Sequence, residues 1–169
     1  MNNAKTTNVV IGGLGGQGVL KASDILADAA LRAGYDVKKS ELHGMSQRGG
    51  SVSSDVRFGE HVLSPMVPRG EADFLLILTA DQVEPNRHCL RQGGTLIVPD
   101  QVDINRLGNR KSLNVALLGV LSRHLPLAEE HWLAALRSNL AEKLHEANLQ
   151  AFTLGREAGG IPAQRQATA

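Results

Sequence analysis

An α/β fold is predicted for this chain: one domain built on an open, mostly parallel sheet with flanking helices. Three observations predict it. The segment 8–12, with its apolar run Val9, Val10 and Ile11, leads into a glycine-rich turn, GGLGGQG at 12–18, that opens a helical pattern. A continuous apolar run, FLLILT at 74–79, suits a strand buried on both faces of a parallel sheet. Strand-like and helix-like segments then alternate, as they do where crossover helices join neighbouring strands.

Each element has its own justification. Residues 8–12 are the first strand and 16–34 the helix it feeds, with Val19, Ala22, Leu26, Ala29 and Ala33 at helical spacing. Gly34 closes that helix, and 35–41 form a second strand. Residues 42–50 are too polar for a core and read as a surface loop. From 52 to 58, Val52, Ser54, Val56 and Phe58 alternate with Ser53, Asp55 and Arg57, the pattern of a half-buried strand. Pro65, Pro68 and Gly70 punctuate a loop before the central strand at 74–79. Asp81 begins a helix with Glu84 as a capping-box partner, although Pro85 sits awkwardly in it. Residues 95–98 are a further core strand, 112–125 a helix halted near Pro126, and 128–144 a last helix with a leucine stripe. Asn109 to Asn114 read as an ordered polar lead-in to the first of these two helices. The domain is expected to span residues 1–154, with 155–169 a disordered tail by composition.

Composition narrows the function. A chain of 169 residues suits one domain, and 42% hydrophobic residues supply a sizeable core. Aromatics at 3% disfavour base-stacking platforms, and a net charge of +1 without a basic stripe gives little support to nucleic-acid binding. No stretch approaches the roughly 20 apolar residues that span a bilayer. The first residues lack the apolar core of a signal peptide, so a cytoplasmic location is expected. Cys89 is the only cysteine, which rules out an internal disulfide or a cysteine-ligated cluster held by this chain alone. Any redox metal must belong to another chain. The remaining histidines form no metal-ligating spacing.

Two glycine-rich segments carry the functional signal. In the first, Gly13, Gly15 and Gly18 satisfy G-x-G-x-x-G, a spacing that permits a tight turn, backbone approach to an anion and close helix–strand packing. Gly16 and Gln17 complete the candidate binding turn, whose amides favour phosphate or carboxylate. Three readings stay open for it: contact with a partner and its ligand, a phosphate site in this chain's own pocket, and a private dinucleotide site. The last needs a ribose-binding acid, for which Asp36 and Glu41 are the candidates.

The second segment is HGMSQRGG at 43–50. His43 carries an imidazole, which titrates near neutrality and suits acid–base work, or else holds the loop by hydrogen bonds. Arg48 offers a planar fork for carboxylate or phosphate, or a salt bridge within an interface. Ser46 and Gln47 supply polar groups, Gly49 permits close approach, and Met45 fills an irregular gap. Trp132 is either an anchor of the last helix or an interface hot spot.

These segments resemble the small (beta) subunit of indolepyruvate ferredoxin oxidoreductases and, more broadly, the gamma subunit or domain of the 2-oxoacid:ferredoxin oxidoreductases. The resemblance rests on GGLGGQGVLKASDILADAA at 12–30, ELHGMSQRGGSVSSDVRFG at 41–59, LSPMVPRGEADFLL at 63–76, NRKSLNVALLGVLSRHLPL at 109–127 and NLQAFTLG at 148–155. It implies a Rossmann-like fold and a subunit without independent activity. A large partner would carry thiamine diphosphate and [4Fe-4S] clusters and decarboxylate a 2-oxoacid, with coenzyme A accepting the acyl group and ferredoxin the electrons. Both glycine segments would then lie near the subunit junction. Two departures stand out: the stretch between Gly94 and Asn109 is shorter than the family pattern, and TADQVEPNR follows Leu78 where the family has a leucine–glutamate–proline turn.

Overall fold

The computed structural model describes residues 5–44 and 49–158. Its centre is a five-stranded sheet in the order β2-β3-β1-β4-β5. The strands are β1 (Thr7–Leu14), β2 (Asp36–His43), β3 (Ser51–Gly59), β4 (Ala72–Ile77) and β5 (Leu90–Ile97). The sheet is mixed, which corrects the expectation of a mostly parallel one. β1–β4 and β4–β5 pair in parallel, whereas β3 runs antiparallel to both β1 and β2. The reason is local: a short loop joins β2 directly to β3, and such a connection can only return the chain antiparallel. Period-2 alternation in β3 revealed a half-buried strand but carries no information about direction.

The long helices lie on one face of the sheet. Helix α1 (Val19–Arg32) packs on β1, β2 and β3, and α3 (Leu113–Ser122) on β4 and β5. A second layer follows, with α4 (Glu129–Asn139) on α1 and α5 (His145–Ala158) on α3. Sandwiched in this way, α3 buries every residue except Leu113, so its sequence is apolar all round rather than striped. Gly119 and Gly155 let α3 and α5 meet backbone to backbone: a β-carbon at Gly155 would collide with the Ala116 carbonyl, and one at Gly119 with the Phe152 carbonyl. Trp132 is fully buried and packs against Phe152, ring centroids 5.6 Å apart, so it is a core anchor.

Two expectations about the chain's second half need correction. The single helix predicted for 128–144 is two, because Leu140 and Ala141 are extended. Helix α5 then runs to Ala158, four residues into the predicted tail. The helix predicted from Asp81 shrinks to one α turn, α2 (Val83–Asn86), between two 3-10 turns and without a side-chain cap. Pro85 has no N–H to donate and its ring crowds the preceding turn, which keeps the segment short.

The opposite face carries a small cluster of Val10, Ala72, Leu75 and Ile77, covered by Val67, Val83, Cys89 and neighbouring residues. A loop after β3 crosses this face and is fastened at several points. Arg57 Nη1 donates to the carbonyls of Ser64 and Met66, at 2.9 and 3.2 Å. Asp55 accepts from the Val67 amide and Asp36 from the Val62 amide, each at 2.8 Å. The fastened loop nevertheless presents Leu63 to solvent, 96% exposed.

Candidate functional site

The carboxyl ends of β1 and β4 lie side by side, and their connections leave for opposite faces: β1 into α1, β4 into the segment that contains α2. Such a switch point is where open α/β sheets leave a crevice for ligands. The first glycine segment sits there. Gly12 and Gly13 are still within β1, buried, and Gly13 makes room for Gln17 Oε1, 2.8 Å from where a β-carbon would stand. The chain then turns back, with the Gln17 amide donating to the Leu14 carbonyl at 3.2 Å. Gly16 takes φ 87° at the third position of that turn, a conformation that favours glycine. The Gln17 side-chain oxygen accepts from the Leu14 amide at 2.8 Å, so this residue staples the turn from within. Gly18, at φ 84°, is the N-cap of α1.

Gly15 and Gly16 form the exposed crest of this turn. The second glycine segment reaches it. The Gly15 amide donates to the Gly50 carbonyl at 2.9 Å, and the space beside the Gly15 Cα is met by Gly49 at 3.4 Å. His43 is exposed at the end of β2, where the Gly44 amide donates to the Ser51 carbonyl at 2.7 Å. Met45, Ser46, Gln47 and Arg48 lie outside the described residues. The described parts of the two segments singled out in the sequence therefore meet in one exposed ridge, at Gly15, Gly16 and Gly49.

Two further segments hold the ridge from below, and neither was recognised as part of the site. Ser51 Oγ donates to Gln82 Oε1 at 2.8 Å, and Asn86 Nδ2 donates to the Gln82 carbonyl at 2.8 Å. Asn114, in the first turn of α3, donates from Nδ2 to the Gly18 carbonyl at 3.2 Å. The polar run before α3 was visible in the sequence as an ordered helix start. Its partner, 96 residues away, was not.

Neither acid considered for a private dinucleotide site stands at the turn. Asp36 is at the far end of the sheet, in the row with Gly59, where it holds the Val62 amide. Glu41 is bonded to Lys39 at 2.9 Å, and β3 separates β2 from β1. Burial works to lower the Lys39 pKa, but hydrogen bonds to Asp24 and Glu41 and their charges outweigh it and raise the pKa. That ammonium ties β2 to α1. Clefts elsewhere do not reach the ridge: one of 320 Å³ is lined by Lys5, Asn8, Asp73 and Arg91, and one of 390 Å³ by Arg106 and residues of α5. Among the described residues no three His, Cys, Asp or Glu side chains converge to hold a metal, and no helix is long and apolar enough to cross a membrane. Cys89 is only partly buried, yet burial, reinforced by the charge of Asp55 and opposed by Arg69, pushes its thiol pKa up. A reactive cysteine needs the reverse.

Comparison with known proteins adds to this geometry. Residues 8–158 match the family model described as pyruvate ferredoxin/flavodoxin oxidoreductase. The indolepyruvate oxidoreductase subunit IorB of Thermococcus kodakarensis is 39% identical, over 91% of this chain and 96% of its own. That alignment runs over 196 positions, more than this chain has residues, so the relative carries inserted material. The 2-oxoglutarate synthase subunit KorC of Archaeoglobus fulgidus is 26% identical over 92% of the chain. The fold recurs in the gamma subunit of a keto/oxoacid ferredoxin oxidoreductase from Geobacter sulfurreducens, with TM-score 0.78 at 24% identity over 92% of this chain and 97% of that one. It recurs again in the 2-oxoglutarate:ferredoxin oxidoreductase of Magnetococcus marinus, with TM-score 0.81 at 19% identity, covering 95% of this chain but 32% of the longer one.

Proposed function

Because the chain belongs to the pyruvate ferredoxin/flavodoxin oxidoreductase family, as a gamma-type, non-autonomous subunit of a 2-oxoacid:ferredoxin oxidoreductase, we propose that its glycine ridge completes the active centre of a large cofactor-bearing subunit. The observation that carries this reading is the contact of Gly15 with Gly49 and Gly50, which joins both glycine segments into an exposed edge rather than a closed pocket. A crest of Gly15 and Gly16 against Gly49 and Gly50, where backbone is presented without side chains, is suited to close approach by another polypeptide or its ligand.

The substrate we propose is indolepyruvate or another aryl 2-oxoacid, on the strength of the IorB relatives. Thiamine diphosphate and [4Fe-4S] clusters on the large subunit supply the nucleophilic carbon and the electron path for oxidative decarboxylation, with coenzyme A as acyl acceptor and ferredoxin as electron acceptor. This chain, with one cysteine, has no cluster ligand set of its own. Its part is to position and enclose. The amides of Gly16 and Gly18, with Ser46, Gln47 and Gly49, offer hydrogen bonds to anionic groups at the junction, while the Gly15 and Gln17 amides, bonded to the Gly50 and Leu14 carbonyls, hold the turn that presents them and Gly13 packs beneath. Arg48 offers its fork to a carboxylate or phosphate, and His43 holds or moves a proton at its imidazole. We assign this work to the cytoplasm, where a lone thiol stays reduced.

The test is co-expression with the native large subunit. The complex should carry thiamine diphosphate and iron and reduce a dye when given an aryl 2-oxoacid and coenzyme A, whereas this chain alone should do neither. Arg48→Ala should weaken assembly or turnover. Dye reduction by the isolated chain, or tight nicotinamide-nucleotide binding to it, would defeat the proposal.

A further inference from the structure

We propose that Asn114 is a positioning residue for the active centre: it fixes the height and tilt of the Gly15–Gly16 crest by tying Gly18 to the rigid helix α3. This rests on the reading of the ridge as the edge that meets the large subunit.

Asn114 is out of place by the ordinary rules of its helix. It stands in the first turn of α3, 7% exposed, on an element whose other residues are Val, Ala and Leu apart from Gly119 and Ser122. Asparagine is a mediocre helix former, and burying its amide is costly unless the amide is hydrogen-bonded. The helix start uses only one end of it. Asn109 opens the segment by accepting from the Lys111 amide at 2.9 Å, while Ser112, at the N-cap, makes no side-chain cap bond. Asn114 uses both ends of its amide. Oδ1 accepts from the Val115 amide at 2.9 Å, which fixes the side chain on α3, and Nδ2 reaches the Gly18 carbonyl at 3.2 Å. That carbonyl also accepts the first bond of α1, from the Ala22 amide at 2.9 Å.

The fit is tight from both sides. A β-carbon on Gly18 would collide with Asn114 Nδ2. Gly18 thus has no side chain partly because Asn114 occupies the space one would fill. Helix α3 is in turn clamped to α5 through Gly119 and Gly155. The crest is therefore referenced, through a single amide, to the best-packed helix of the molecule. Errors of about 1 Å in placing reacting groups cost on the order of 100-fold in rate, so such a reference is worth more to turnover than to folding.

The experiment compares Asn114→Ala and Asn114→Asp with Leu118→Val, which trims the same helix one turn further in, within the complex of this chain and its large subunit. Thermal midpoint, complex yield, kcat and KM for the 2-oxoacid and for coenzyme A are measured, together with hydrogen exchange at the Gly15 and Gln17 amides. Both Asn114 variants should lose about 10–100-fold in kcat/KM and exchange those amides faster, at complex yields matching the wild type. Leu118→Val should lower the thermal midpoint as much or more while leaving kcat/KM unchanged. Unaltered kinetics in the Asn114 variants, or an equal loss in Leu118→Val, would overturn the proposal. A wild-type complex inactive on every 2-oxoacid would instead defeat the functional reading. In that event the exchange rates decide about Asn114 independently, since unchanged protection of the Gly15 and Gln17 amides shows that it does not hold the crest.

Discussion

Gly16 and Gly18 both take left-handed backbone angles, φ 87° and 84°, but only one of them is hemmed in. Open space surrounds Gly16, whereas Asn114 abuts Gly18. Gly16→Ala should therefore cost the left-handed strain alone, about 1–2 kcal/mol, and Gly18→Ala should cost more because Asn114 must also move. Urea midpoints of the two variants check this order. Asp55 gives a pH signature. Burial, partly offset by the Val67 amide and the Arg57 charge, holds its pKa above the ordinary carboxylate value. The folded state then binds this proton more tightly than the unfolded chain does. Its contribution to stability is fully present below the unfolded pKa and is lost as pH rises through the raised folded value. Asp55→Asn keeps an acceptor for the Val67 amide and removes the charge. Its thermal midpoint relative to wild type should rise between pH 3 and neutrality, and parallel curves for the two proteins would refute the assignment.

At the level of elements, the α3–α5 contact allows the bluntest prediction. Gly155→Ala puts a methyl group into the Ala116 carbonyl, backbone against backbone, with no flexible side chain to yield. A loss of about 3 kcal/mol, at the upper end for an overpacked core, is expected in chemical denaturation, and a loss within 0.5 kcal/mol would mean that the helices separate easily. This element also marks the limit of what the sequence discloses. β1, α1, β3, β4 and α3 were legible because each has a strong local pattern: an apolar run, helical spacing or strict alternation. Helix α5 was not, since its apolar residues Ala151, Phe152 and Leu154 answer to α3 rather than to a regular stripe. For the candidate site, both glycine segments stood out in the sequence, the first by its glycine spacing and the second by its polarity. Their meeting at Gly15 and Gly49, and the supports from Gln82 and Asn114, depend on pairings across the sheet that no local pattern encodes. Strand direction escaped for the same reason: alternation in β3 is identical whether the strand runs up or down.

On the scale of the whole molecule, the layered arrangement divides labour between the two ends of the chain. The first half supplies the ridge, and the second half supplies the helices that hold it. The same fold makes up 97% of the Geobacter sulfurreducens chain and 32% of the longer Magnetococcus marinus one. A fragment cut after residue 154 would lose Gly155 and Arg156, whose guanidinium donates to Ser122 Oγ at 3.0 Å and lies 6.0 Å from the Phe152 ring. Such a fragment should give a collapsed, dye-binding state without the near-ultraviolet dichroism of packed aromatics, whereas a chain ending at 158 should retain it. There is a further consequence for biosynthesis. Helix α5 is the last described element to be translated, yet it seals α3, on which the glycine ridge depends. The Gly15–Gly16 turn is therefore synthesised well before the helix pair that braces its Gly18 anchor is complete.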